Sequence, residues 1–193
     1  MSRAVLEDDP FTRIKTVVQW YLSGFYKKPR GLKKPYNPIL GEVFRCCWRH
    51  PQTGSTTFYI AEQVSHHPPV SALYVTNRQD GFTLSATILA KSKFYGTVSL
   101  EMAAIGGSGR SPKCFTETMW CLFAGNSLSA LLEGSARLTL LPRGEDYVIT
   151  MPYAHCKGIL LGTLTMEMGG DVYIKCEKTG YRADIEFKLK VGS

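Results

Sequence analysis

The feature that most constrains this chain is a series of short runs rich in β-branched and aromatic residues, each closed by turn chemistry. The runs fall at Glu42–Trp48, Thr56–Gln63, Val70–Thr76 and Phe82–Ala90, with PQTG after His50 and NRQDG after Thr76 as the clearest turns. The rhythm resumes at Ser135–Leu141, Asp146–Met151, Ile159–Met168, Asp171–Cys176 and Ala183–Leu189, separated by PRGE, MGG and KTG. Runs of this length and composition fit a pleated, half-buried surface. Many of them at near-regular spacing predict a mainly β fold built on one large antiparallel sheet, curled or closed to manage its edges. Sheets that close at this size can leave an interior that holds a ligand.

One helix is predicted ahead of the strands, from Pro10 to Ser23. Asp9 can cap it, Pro10 suits its first turn, and Gly24 can end it. Phe11, Ile14, Val17, Val18, Tyr21 and Leu22 recur at helical spacing, with Arg13, Lys15 and Gln19 largely outside that stripe, so it is a packing helix. One region fits neither period: residues 97–125 carry a GGSGRSPK centre between two apolar flanks. Structureless loops longer than about 12–15 residues are uncommon inside compact domains, so this segment is read as an insertion. Cys46, Cys47 and Trp48 of the first run are expected to be buried, with lining of the interior as the alternative.

With 193 residues, the chain fits a single domain. No run reaches the ~20 apolar residues of a spanning helix, and MSRAVLEDD lacks the pattern of a signal peptide. The six cysteines form no CxxC pair, and they read as reduced thiols of a cytosolic protein rather than a zinc site or a disulfide framework. A net charge of +7 calls for an anionic partner. Much of it comes from KKPRGLKK, where Lys27, Lys28, Arg30, Lys33 and Lys34 share one proline-stiffened loop. That loop lacks interleaved stacking aromatics, which argues against nucleic acid.

Two patches concentrate the chemistry: Lys33 to Glu42, KKPYNPILGE, and Glu62 to Pro69, EQVSHHPP. In a regular strand His66 and His67 would point to opposite faces, but the double proline interrupts the ladder and sets the pair at a bend. Three readings stay open. A metal would want a third ligand, and His50 and His155 show no spacing that supplies one. A hydrolase would use Ser65 beside a histidine base, without a GxSxG elbow or a strong Asp partner. Anion binding needs only donors, which imidazoles provide and which Lys34 and Asn37 extend. A generic basic loop or an Asn-Pro turn would also serve structure alone.

The octet EQVSHHPP, with KKPYNPILGE upstream, resembles the signature of the oxysterol-binding-protein-related lipid-transfer family over about Phe11 to Lys190. The resemblance implies an incomplete antiparallel β-barrel around a lipid tunnel, with no enzymatic activity and no cofactor. It implies phosphatidylinositol 4-phosphate as a ligand, exchanged for phosphatidylserine or a sterol between membranes. His66 and His67 would then hold the 4-phosphate, joined by Lys34, with Asn37 at the headgroup or glycerol region. Lys27, Lys28, Arg30 and Lys33 would dock the loop on an anionic membrane surface, making the protein cytosolic and peripheral at endoplasmic reticulum contact sites. The wording MPYAHCKGILLGTLTMEMGG is similar to the phosphatidylserine-exchanging branch. Against the family's pattern, the chain lacks the N-terminal lid and the C-terminal helical region, and it carries the 97–125 segment. It therefore reads as a partial domain, a fragment or splice variant, for which a non-transferring sensor or scaffold is the alternative role and a lipid hydrolase a further one.

Overall fold

The computed structural model describes residues 1–26, 37–95, 127–157 and 165–189, and among these the periodicity becomes nine strands behind two helices. The helices are α1 (Ser2–Leu6) and α2 (Pro10–Ser23). The strands are β1 (Val43–His50), β2 (Ser55–Ser65), β3 (Val70–Asn77), β4 (Phe82–Tyr95), β5 (Ser127–Leu140), β6 (Glu145–Thr150), β7 (Tyr153–Lys157), β8 (Thr165–Cys176) and β9 (Arg182–Phe187). They form one sheet ordered β1-β2-β3-β4-β5-β6-β8-β7, with β9 on β8 and β7 also on β5. Every pairing with a resolved register is antiparallel, so the fold is mainly β with an N-terminal packing helix. The expected insertion, 97–125, lies outside the described residues.

The chain forms two compact units. Among described residues the first holds 1–26, 37–90, 132–151 and 171–186, and the second holds 91–95, 127–131, 152–157, 165–170 and 187–189. In the first unit, Asp9 caps α2 by accepting from the Thr12 backbone N–H at 2.9 Å, and Pro10 opens the helix as its fixed φ allows. Ile14, Val17 and Tyr21 of α2 are buried, as are Ala136, Leu138 and Leu140 of β5, Tyr147 and Ile149 of β6, and Val172, Ile174 and Cys176 of β8. These strand residues alternate along each strand and share one face, since Leu138 pairs with Tyr147 and Tyr147 with Cys176. Each of the Leu, Ile and Val side chains removed from water contributes about 1.5–3 kcal/mol.

Arg13 departs from its expected position outside the stripe. It is 3% exposed, and its guanidinium forms two hydrogen bonds to Glu145, at 2.8 and 2.6 Å. The helical period sees only a charged residue, whereas the fold supplies a carboxylate that makes burial tolerable. Cys46, Cys47 and Trp48 depart as well: Cys47 is exposed and Trp48 is 50% exposed. Successive strand residues face opposite sides, so a run of three cannot all turn inward.

In the second unit, β7 was not expected as a strand and MGG was expected to separate two. Instead Gly169 and Gly170 lie inside β8, opposite Tyr153 of β7. A Cβ on Gly169 would come within 2.6 Å of the Tyr153 ring, so the glycines make room for an aromatic neighbour rather than a turn. PRGE and KTG do turn the chain, with Gly144 and Gly180 at φ of 56° and 73°.

Candidate headgroup site

β2 ends at Ser65 and β3 begins at Val70, leaving His66 to Pro69 as the connecting turn, with a cis His67–Pro68 bond. The ladder shifts just before it, where Gln63 pairs with Ser71 but Ser65 pairs with Val70, a β-bulge. The buried Gln63 side chain fills that irregularity. Its Nε2 donates to the Ser65 carbonyl at 2.9 Å, and its Oε1 accepts from the Ser71 hydroxyl. A buried amide satisfied from both ends fixes the approach to the histidines.

The upstream block comes to the same place. The Gly41 N–H donates to the Gln63 carbonyl at 2.8 Å, and the Gln63 N–H donates to the Glu42 carbonyl at 3.0 Å. These bonds continue the β1–β2 ladder beyond Val43↔Glu62. Ahead of them, Glu42 closes residues 39–42 into a tight turn. Its carboxylate accepts from the Ile39 N–H at 3.0 Å, and its own N–H donates to the Ile39 carbonyl at 3.0 Å. His66 then fastens the turn to the block through Nδ1 and the Pro38 carbonyl, 3.0 Å apart across 28 residues of sequence.

The two imidazoles meet edge to face, with ring centroids 4.5 Å apart. His66 is half-buried, while His67 and Asn37 are exposed. The structure thus brings His66, His67 and the residue next to Asn37 together at one end of β2. Lys34 and the basic-loop residues Lys27, Lys28, Arg30 and Lys33 lie outside the described residues. Sequence reasoning did not single out Gln63 or Ser71, although Gln63 lies within the octet it quoted. No group of three His, Cys, Asp or Glu side chains suited to a metal is found among the described residues.

The first unit also contains an open apolar hollow of 340 Å³, bordered by Trp20 of α2 and by Trp48, Tyr59, Val75, Leu84 and Leu138 of the sheet. Pockets of roughly 300–1,000 Å³ with mostly apolar walls suit small organic ligands. Burial pushes the Tyr59 phenol above its ordinary range, in keeping with a water-poor wall. Among the described residues no helix is long and apolar enough to cross a membrane.

The fold is thus an antiparallel sheet backed by α2, with a paired-histidine turn stapled to an Asn-Pro block. The oxysterol-binding protein family model matches residues 1–108 and 114–193. This chain belongs to the oxysterol-binding protein family. It is 64% identical over 190 residues to mouse and human oxysterol-binding protein-related protein 8, covering 98% of this chain and 18% of each relative. It is 60% identical over 190 residues to mouse oxysterol-binding protein-related protein 5, again with 18% of that relative covered. The chain therefore spans about a fifth of the length of these relatives. Among solved structures, it is similar to the Osh3 ORD of Saccharomyces cerevisiae in complex with PI(4)P, at 26% identity and TM-score 0.70, covering 100% of this chain and 42% of that one. The Osh1 ORD domain in complex with ergosterol matches at 26% identity and TM-score 0.72, covering 97% and 38%.

Proposed function

We propose that this chain is a non-enzymatic lipid-binding and transfer module whose His66/His67 turn recognises the phosphate of phosphatidylinositol 4-phosphate. The observation that carries the reading is the His66–Pro38 hydrogen bond, which fastens the paired histidines to the block containing Asn37. Donors gathered at one point of the fold suit an anion. The PI(4)P named in the Osh3 structure supports that ligand, and the similarity to related proteins 5 and 8 supports exchange against phosphatidylserine, with a sterol as the alternative cargo. Lys34 joins the histidines on the phosphate, Asn37 contacts the inositol or glycerol, and the lipid tails follow the apolar walls of a sheet-lined tunnel. Lys27, Lys28, Arg30 and Lys33 dock the module on anionic leaflets, where each basic residue near the surface contributes about 1 kcal/mol. The module works peripherally, at contacts between the endoplasmic reticulum and a second membrane. In this proposal residues 97–125 are an insert in the lipid-binding sequence.

The test is extraction of fluorescent phosphatidylinositol 4-phosphate from vesicles by His66→Ala with His67→Ala. Extraction falls to background while circular dichroism and melting stay close to those of the unaltered chain. Undiminished extraction by the double variant would remove the site from these residues.

A further inference from the structure

The Pro38 carbonyl can only accept a hydrogen bond, so the 3.0 Å contact requires that His66 Nδ1 carry the hydrogen. A neutral imidazole has one N–H, and with Nδ1 so committed its Nε2 presents a bare lone pair. Phosphate monoester oxygens are acceptors too, and their second ionisation lies near pH ~6. Lone pair then faces lone pair, and the contact becomes a hydrogen bond only when one proton enters it. The proton can sit on Nε2, giving an imidazolium against a dianion, or on the phosphate oxygen, giving a donor to neutral Nε2.

From this geometry we infer that the site binds a phosphate monoester together with one proton, so that affinity rises as pH falls. The inference rests on the reading of His66 as a phosphate contact and deepens it. Among the described residues of the first unit, the charged and titratable groups on the elements against the turn are Glu42 in the upstream block, Glu62 of β2 and His67 within the turn. The largest charge brought to the ring on binding is the ligand's own, and it decides where the proton goes. Between about pH 8 and pH 7 a free phosphate monoester is largely dianionic, and uptake of one proton on binding tightens it by up to about tenfold per pH unit. Below about pH 6 the free ligand already carries that proton and the dependence fades.

The experiment is calorimetric titration at pH 7.5 in buffers of different ionisation enthalpy, with affinities also taken at pH 6.5, 7.0 and 8.0. One arm uses vesicles containing phosphatidylinositol 4-phosphate, and the other a soluble inositol phosphate, which separates a lipid headgroup from a free phosphate ester. Uptake of close to one proton in either arm supports the inference and shows which source the site takes. His66→Gln, whose amide donates at every pH, binds with a flat or reversed pH profile. His66→Asn can keep the Pro38 contact, but its shorter amide does not reach the position of Nε2, and it binds weakly throughout. Binding without proton uptake, or an unchanged pH slope in His66→Gln, overturns the inference while leaving the lipid-binding reading in place. Absence of binding at any pH overturns both. Independently of any variant, ¹⁵N spectra of His66 in the free protein show the Nδ1–H tautomer, and an Nε2–H tautomer would overturn it.

Discussion

Gly134 has φ of 132°, and a Cβ there would come within 2.1 Å of the Thr87 carbonyl oxygen on β4. Backbone cannot step aside as a side chain can, so Gly134→Ala is expected to cost about 2–4 kcal/mol in a denaturant melt. Gly169→Ala meets the Tyr153 ring instead, whose tip can swing away, and it costs less than Gly134→Ala. Gln63 poses the complementary case of a polar side chain that must stay. Replacement by Met leaves the Ser65 carbonyl and the Ser71 hydroxyl without their buried partner, a loss of about 1–3 kcal/mol. Because that amide sets the bulge before His66, the same variant weakens phosphoinositide binding measured by vesicle sedimentation. At this scale the site was partly legible in the sequence. Paired histidines before two prolines announce a bend, but nothing local announces that His66 reaches Pro38. Nor could the sequence tell MGG in a strand from MGG in a turn, because the reason for the glycines is the ring of Tyr153 on a neighbouring strand.

The seam between α2 and β6 joins elements far apart in the chain. Arg13 and Glu145 are paired at 2.6 Å with both side chains almost wholly enclosed, and Tyr147 Oη donates to the same carboxylate at 2.9 Å. Glu145→Ala strands the guanidinium and is expected to cost about 3–5 kcal/mol, whereas replacing both partners with apolar residues of similar volume costs far less. Urea midpoints of Glu145→Ala and of the double variant measure that difference. Tyr21 Oη donates to the Thr150 carbonyl at 3.2 Å, and burial pushes its phenol up to about 12. Tyr147 is pushed higher, first by burial and then by its bond to Glu145. Both folded-state values lie above the ordinary value of 10.0, so their contribution is fully present below pH 10 and is lost as pH climbs toward and through about 12. Ultraviolet titration should therefore show two tyrosines ionising late, together with loss of the fold. Asp9, Pro10 and Gly24 gave the bounds of α2 because capping is local chemistry. β7 escaped notice because Pro152 breaks the run from Tyr147, and the alternation that marks β6 is too short to carry past it.

Over the whole molecule, net charge carries a prediction for attachment to membranes. With +7 net charge, attachment to anionic vesicles is expected to weaken as salt rises, since screening shortens to ~8 Å at physiological ionic strength and ~3 Å at 1 M. Neutralising Lys27, Lys28, Arg30 and Lys33 together flattens that salt dependence while leaving capture of a soluble inositol phosphate intact. The mainly β fold was legible because strand composition and turn residues repeat along most of the chain. Family membership was legible because two motifs of unusual wording occur together, and their juxtaposition at the end of β2 supplies a physical reason for them to travel as a pair. The most direct test of the lipid-binding account is native mass spectrometry of the purified chain after exposure to vesicles containing phosphatidylinositol 4-phosphate and phosphatidylserine. The account predicts a one-to-one complex with a single lipid, with the phosphoinositide complex absent from His66→Ala/His67→Ala. A folded chain that leaves the vesicles without lipid, or a double variant that retains the phosphoinositide, would contradict it.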